Sequence, residues 1–109
     1  MKIITMNVQE PYYSFIVKGK KKIEVRLNKG KFSSLEKGDI IKMGDQGIEL
    51  LVLDIKKYKT FRAIFENEKM EDIIPDKDCA DDAIAVCYRF FTKEQEKEFG
   101  VVAIKIQKQ

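Results

Sequence analysis

The sequence contains no histidine and no tryptophan, and only two prolines, two cysteines and six glycines among its 109 residues. Without histidine no Cys-His zinc site and no Cys-His or Ser-His catalytic pair can be assembled. Acid-base work would fall to carboxylates, lysines, tyrosines or a thiol, each with a shifted pKa. Ser14, Ser33 and Ser34 have no base partner and are excluded as nucleophiles. Cys79 and Cys87 read as reduced structural or bystander thiols. Neither a metal site nor a cofactor is expected. No run approaches the roughly 18 consecutive apolar residues of a membrane span, and the opening Met-Lys-Ile-Ile-Thr-Met lacks the features of a signal peptide. A cytoplasmic address is therefore expected.

What is present fits one folded domain spanning 1–109: 44% of residues are hydrophobic and 36% charged, outside the disordered range and enough for a modest core. Residues 2–8 read as a strand. Pro11 and Gly19 bracket a short helix. From Lys22 the period changes to two, with Ile23, Val25 and Leu27 on one face of a half-buried strand and Lys22, Glu24 and Arg26 on the other. Strands are expected near 40–43 and 48–55, and a helix capped by Thr60 over 61–67. Residues 71–78 read as an acidic linker, 81–91 as a helix, Thr92 to Gln95 as a capping box, and 101–106 as a closing strand entered through Gly100. Strands and helices out of strict alternation give an α+β class around a mostly antiparallel sheet, in the form of a small barrel.

Charge is unevenly spread. Lys18 to Lys31 holds seven basic residues against Glu24 alone, and Lys56, Lys57, Lys59 and Arg62 form a second basic cluster. Glu66 to Asp82 holds eight acids against Lys69 and Lys77. Such a distribution suggests one end that attracts phosphates and another that repels them.

Gly19-x-Lys21-x-x-Glu24-x-Arg26, after a helix opening Glu10-Pro11-Tyr12, resembles the signature of the ASCH domain family. The resemblance continues through Lys37-Gly38-Asp39, Lys57-Tyr58-Lys59-Thr60-Phe61 and Phe99 to Ile104, nearly the whole chain. It implies a PUA-like β-barrel of five or six strands with short helices that plug and flank it, a cleft at the signature, and RNA or a nucleotide as partner. One branch of small members resembles an amidohydrolase that removes an acyl group from a modified cytidine. Its catalytic set resembles a lysine at Lys21, a hydroxyl at the position of Glu24, and a distant glutamate. This chain departs from it by carrying Glu24.

On chemistry alone, Arg26 offers a planar fork for a phosphate or base edge, Lys21 a point charge, and Glu24 an acceptor for an exocyclic amine. Strict alternation groups Lys22 with Glu24 and Arg26, whereas the resemblance favours Lys21 and requires a bend before Ile23. Lys57 and Lys59 are candidates for backbone phosphates, and Tyr58, on an expected loop, for stacking a base. Tyr12 and Tyr13 suit the core or rim better than stacking. Three functions are open: an RNA- or nucleotide-binding module, a hydrolase using Lys21 and Glu24, and a protein-interaction domain acting through the acidic stretch. The bland alternative is a solvated strand face with weak surface pairs.

Overall fold

A computed structural model describes residues 1–109. Five strands, β1 (Ile3–Met6), β2 (Ile23–Leu27), β3 (Ile40–Met43), β4 (Ile48–Tyr58) and β5 (Val101–Lys108), form one curled sheet in the order β1-β3-β4-β5-β2. Only β1 and β3 run parallel; the other neighbours are antiparallel. The sheet stops short of closing, leaving β1 and β2 as edges facing one another across a seam. Five helices accompany it: α1 (Tyr12–Val17), α2 (Phe61–Asn67), α3 (Met70–Ile73), α4 (Ala80–Phe90) and α5 (Lys93–Phe99).

Both faces of the sheet are buried, each against its own core. Ile23, Val25, Leu27, Val101 and Ala103 pack with Phe61, Ile64, Ile73, Ala83 and Val86 of the helices. On the other face Met6, Ile41, Met43, Leu50, Val52, Val102 and Ile104 fill the curl, plugged by Ile16 of α1 and by Leu35. The expected half-buried β2 is therefore corrected. Glu24 is 7% exposed, and only Arg26 among the five residues of the strand reaches solvent appreciably.

Local signals account for most boundaries. Thr60 accepts a hydrogen bond from the Ala63 N–H, and Thr92 and Gln95 exchange both bonds of a capping box. The acidic passage is a difference from expectation: Met70–Ile73 is helical, with Glu71 and Asp72 at its first turn and Ile73 fully buried. The Lys22 N–H donates to the Asp72 carbonyl at 2.7 Å. Acidic and basic segments thus meet instead of occupying opposite ends, which corrects the charge layout expected from sequence.

Gly100 has φ 71° and ψ −172°, a region open essentially to glycine alone. A Cβ there would stand 3.0 Å from the Tyr58 carbonyl oxygen. Gly100→Ala is expected to lose about 1–3 kcal/mol of stability, measurable as a shifted urea midpoint at unchanged slope; an unshifted midpoint would refute this reading of the α5–β5 junction.

Candidate nucleotide site at the sheet seam

The seam holds a cavity of about 260 Å³, walled by Tyr12, Ile73, Ile74, Val86, Cys87, Phe90 and Phe91, with Asn7, Val8 and Gln9 on the β1 side and Lys21, Glu24 and Arg26 on the β2 side. Its position follows from the chain path. Gly19, at φ 78°, ends α1, and the Lys20 and Lys21 N–H groups both fold back onto the Phe15 carbonyl at 2.8 and 3.1 Å. Extended alternation starts only at Ile23, so Lys21 turns inward and Lys22 outward. The ambiguity between the two lysines is settled geometrically: Lys21 contacts Glu24, and Lys22 is exposed.

The charged wall is a chain of mutual satisfaction. Lys21, 4% exposed, donates to the Ile23 and Ile73 carbonyls at 2.8 Å each and lies 3.3 Å from Glu24 Oε1. All three ammonium protons thus have acceptors. Glu24 Oε1 also accepts the Val25 N–H, and Oε2 accepts from Arg26 Nε at 3.2 Å and Nη2 at 3.0 Å. Arg26 Nη2 also donates to the Asn7 carbonyl at 2.6 Å, bridging the seam. Nη1 makes no hydrogen bond within the protein, and the guanidinium lies over Phe32, 5.2 Å from the ring centre.

Burial pushes the Lys21 ammonium below the usual lysine range, and Glu24 restores only part of the loss. Burial pushes Glu24 up, but Lys21, Arg26 and the Val25 N–H outweigh it and hold the carboxyl below the usual range. Cys87 is pushed up to about 12, chiefly by burial, so it is a neutral thiol in the wall. Burial, and next Asp76, raise the Tyr12 phenol, while Arg89 pulls it partly back. No helix is long and apolar enough to cross a membrane, and no cluster of three Cys, Asp or Glu could hold a metal ion.

The family model of the ASCH domain matches residues 6–109. The chain belongs to the ASCH domain family. Among solved structures it is similar to the crystal structure of hypothetical protein PH0355, at 35% identity and TM-score 0.93 over 100% of both chains. The solution structure of protein PF0455 from Pyrococcus furiosus is 34% identical, with TM-score 0.81 over 99% of this chain and 97% of that one. An ASCH domain from Lactobacillus crispatus JV V101 is 14% identical and shares the fold alone, with TM-score 0.59 over 98% of this chain and 79% of the other. No curated protein matches the chain. The PUA-like fold expected from the signature is thus the fold of this ASCH domain, with the sheet left as a half-barrel where a closed barrel was expected.

Within the ASCH fold, the second group of candidates lies elsewhere. Lys57 shares a cross-strand row with Arg26 through Val102, two strands away, or about 10 Å. Tyr58 ends β4 instead of lying on a loop, and its hydroxyl donates to Glu68 at 2.7 Å. Tyr58 and Lys59 border a separate shallow cavity beside Thr60 and Phe99. The loop placement expected for Tyr58 is therefore corrected. Sequence reasoning missed the walls supplied by α3 and α4, namely Ile73, Ile74, Val86, Cys87, Phe90 and Phe91. For Met70, Ile73 and Ile74 the signal was the three- and four-residue spacing inside the acidic passage; for the α4 residues only the tertiary docking reveals the role.

Proposed function

We propose that this ASCH domain binds RNA by taking one unpaired base into the seam pocket. The observation that carries the reading is the internal neutralisation of the charged wall. Lys21 and Glu24 have no free donor or charge to offer, so the expected cationic cleft reduces to Arg26 Nη1 beside an apolar chamber. A phosphate would gain little there and lose much hydration. A planar heteroaromatic ring gains burial against Tyr12, Ile74 and Phe91, and a hydrogen bond from Nη1 to a ring nitrogen or carbonyl. At 260 Å³, the chamber lies at or below the lower bound for drug-sized ligands, which suits one base. Exposed Lys22 and Lys57 supply phosphate contacts outside it. Binding of short single-stranded RNA, followed by fluorescence anisotropy, is expected to weaken with salt at a log-log slope of roughly −0.7 per phosphate contacted. Absence of any salt-sensitive binding at low ionic strength would overturn the proposal.

A hydrolytic reading draws on one observation, the lowered pKa of Lys21 at the pocket wall. Against it stand the three acceptors that hold the ammonium and the carboxylate where the amidohydrolase-like branch has a hydroxyl. Turnover of an acylated cytidine that disappears in Lys21→Ala would establish it; we expect none.

A further inference from the structure

We infer that Arg89 and Phe90, at the end of α4, form a stacking platform for the nucleotide next to the one in the pocket, so that the site takes a stretch of single-stranded RNA and not an isolated nucleotide. This rests on the base-pocket reading and extends it.

Two adjacent phenylalanines at the end of α4 are used differently. Phe91 stacks on fully buried Phe61, with ring centres 5.7 Å apart and planes 24° apart, and is thereby fixed as a wall. Phe90 also borders the pocket, yet is 39% exposed; the only other large hydrophobic residues so exposed are Met1 and Ile3. An aromatic ring left partly in water at the rim of a pocket forgoes burial that the adjoining apolar chamber could have provided. The Arg89 guanidinium lies 5.7 Å from the centre of that ring, on an exposed side chain that enters no ion pair. It is close enough to the pocket wall for its charge to act on the Tyr12 phenol. A π-face beside an unpaired cation is the combination that single-stranded nucleic acid uses: the base stacks, and the guanidinium meets the phosphate joining it to its neighbour. A protein partner would gain from Phe90 but would have to bring a separate carboxylate to Arg89, whereas each step of an RNA strand carries both the ring and the phosphate that this pair takes. Asp76, the carboxylate felt by Tyr12, is held 3.5 Å from Lys77 and so leaves Arg89 free.

The test compares nucleoside monophosphates with homo-oligoribonucleotides of roughly six nucleotides on the full chain. In Phe90→Ala the oligonucleotide is expected to weaken about 5- to 140-fold, which is 1–3 kcal/mol per stacked base converted at 1.4 kcal/mol per tenfold. Monophosphate affinity should fall by clearly less than oligonucleotide affinity, because Phe90 lends that ligand only its edge of the pocket wall and the neighbouring stack is absent from it. Arg89→Gln should make the oligonucleotide salt slope shallower by about 0.7. Phe90→Trp gives a chain without tryptophan a single reporter at the platform, quenched more strongly by the oligonucleotide than by the monophosphate. Equal loss of both ligands in Phe90→Ala would make Phe90 merely a pocket wall and overturn the inference. So would unchanged oligonucleotide binding; if Arg26→Ala abolished binding in that case, the pocket reading would survive alone. Failure of the wild-type chain to bind either ligand would remove both.

Discussion

Glu24→Gln is expected to destabilise the domain by about 3–5 kcal/mol at neutral pH, a drop in melting temperature on the order of 12–20 °C. The substitution keeps the shape and leaves Lys21 a charged group, 4% exposed, facing two carbonyls and an amide. Removing one partner of a buried pair exposes the uncompensated desolvation of the other. The pH profile should change with it. In the wild type the folded Glu24 carboxyl lies below its ordinary 4.5. Its stabilisation is therefore fully present above about pH 4.5 and disappears as pH falls through the folded value. Lys21 runs in the opposite sense: its folded pKa lies below the ordinary 10.5, so the unfolded chain holds more protons between the two values and stability rises with pH there. Glu24→Gln removes the attraction that partly restores Lys21. The variant should lose part of the acid-range slope and gain a steeper alkaline rise in circular dichroism melts. A variant as stable as wild type with a parallel profile would show that the ion chain does not hold β2 and α3 together.

Arg26→Ala should weaken single-stranded RNA about 10- to 140-fold, equivalent to the 1.5–3 kcal/mol of a charge-assisted hydrogen bond. Monophosphates and oligonucleotides should suffer alike, since Arg26 belongs to the base chamber. Arg26→Lys keeps the charge but loses the planar fork and should fall between. Because Arg26 also reaches Glu24 and Asn7, the comparison belongs well below the melting point of each variant, with folding verified separately. Lys57→Ala, two strands away, should cost little at high salt and show its effect only at low ionic strength. Equal affinity of Arg26→Ala and wild type for both ligands would remove Arg26 from the site.

The ladder of secondary structure was largely legible because its signals are local. Thr60 and the Thr92–Gln95 box cap the helices they announce, and the period-two run from Ile23 becomes β2. Burial of β2 on both faces was not legible. Glu24 and Arg26 look solvent-facing by alternation, yet Glu24 is buried at the pocket wall between Lys21 and Arg26, and only Arg26 keeps some exposure. The charge count failed for a related reason: sequence shows seven basic residues in one segment, but not that three of their donors turn into carbonyls and a carboxylate. Lys21 was distinguishable from Lys22 only through the Phe15 carbonyl, which captures two successive N–H groups and shifts the phase of the chain. Six of the fourteen residues lining the pocket come from α3, α4 and their C-caps, remote in sequence from the signature, and their role arises from helix docking that no short motif encodes.

The most direct test of the seam pocket as the base site is a titration of isotope-labelled protein with a short single-stranded RNA, followed by heteronuclear NMR of backbone amides and the arginine Nε–H. The expected result is that the largest shifts fall on Tyr12, Arg26, Cys87 and Phe91, with Phe90 shifting alongside them. Shifts confined to Lys57, Tyr58 and Lys59, with the pocket residues unmoved, would contradict it.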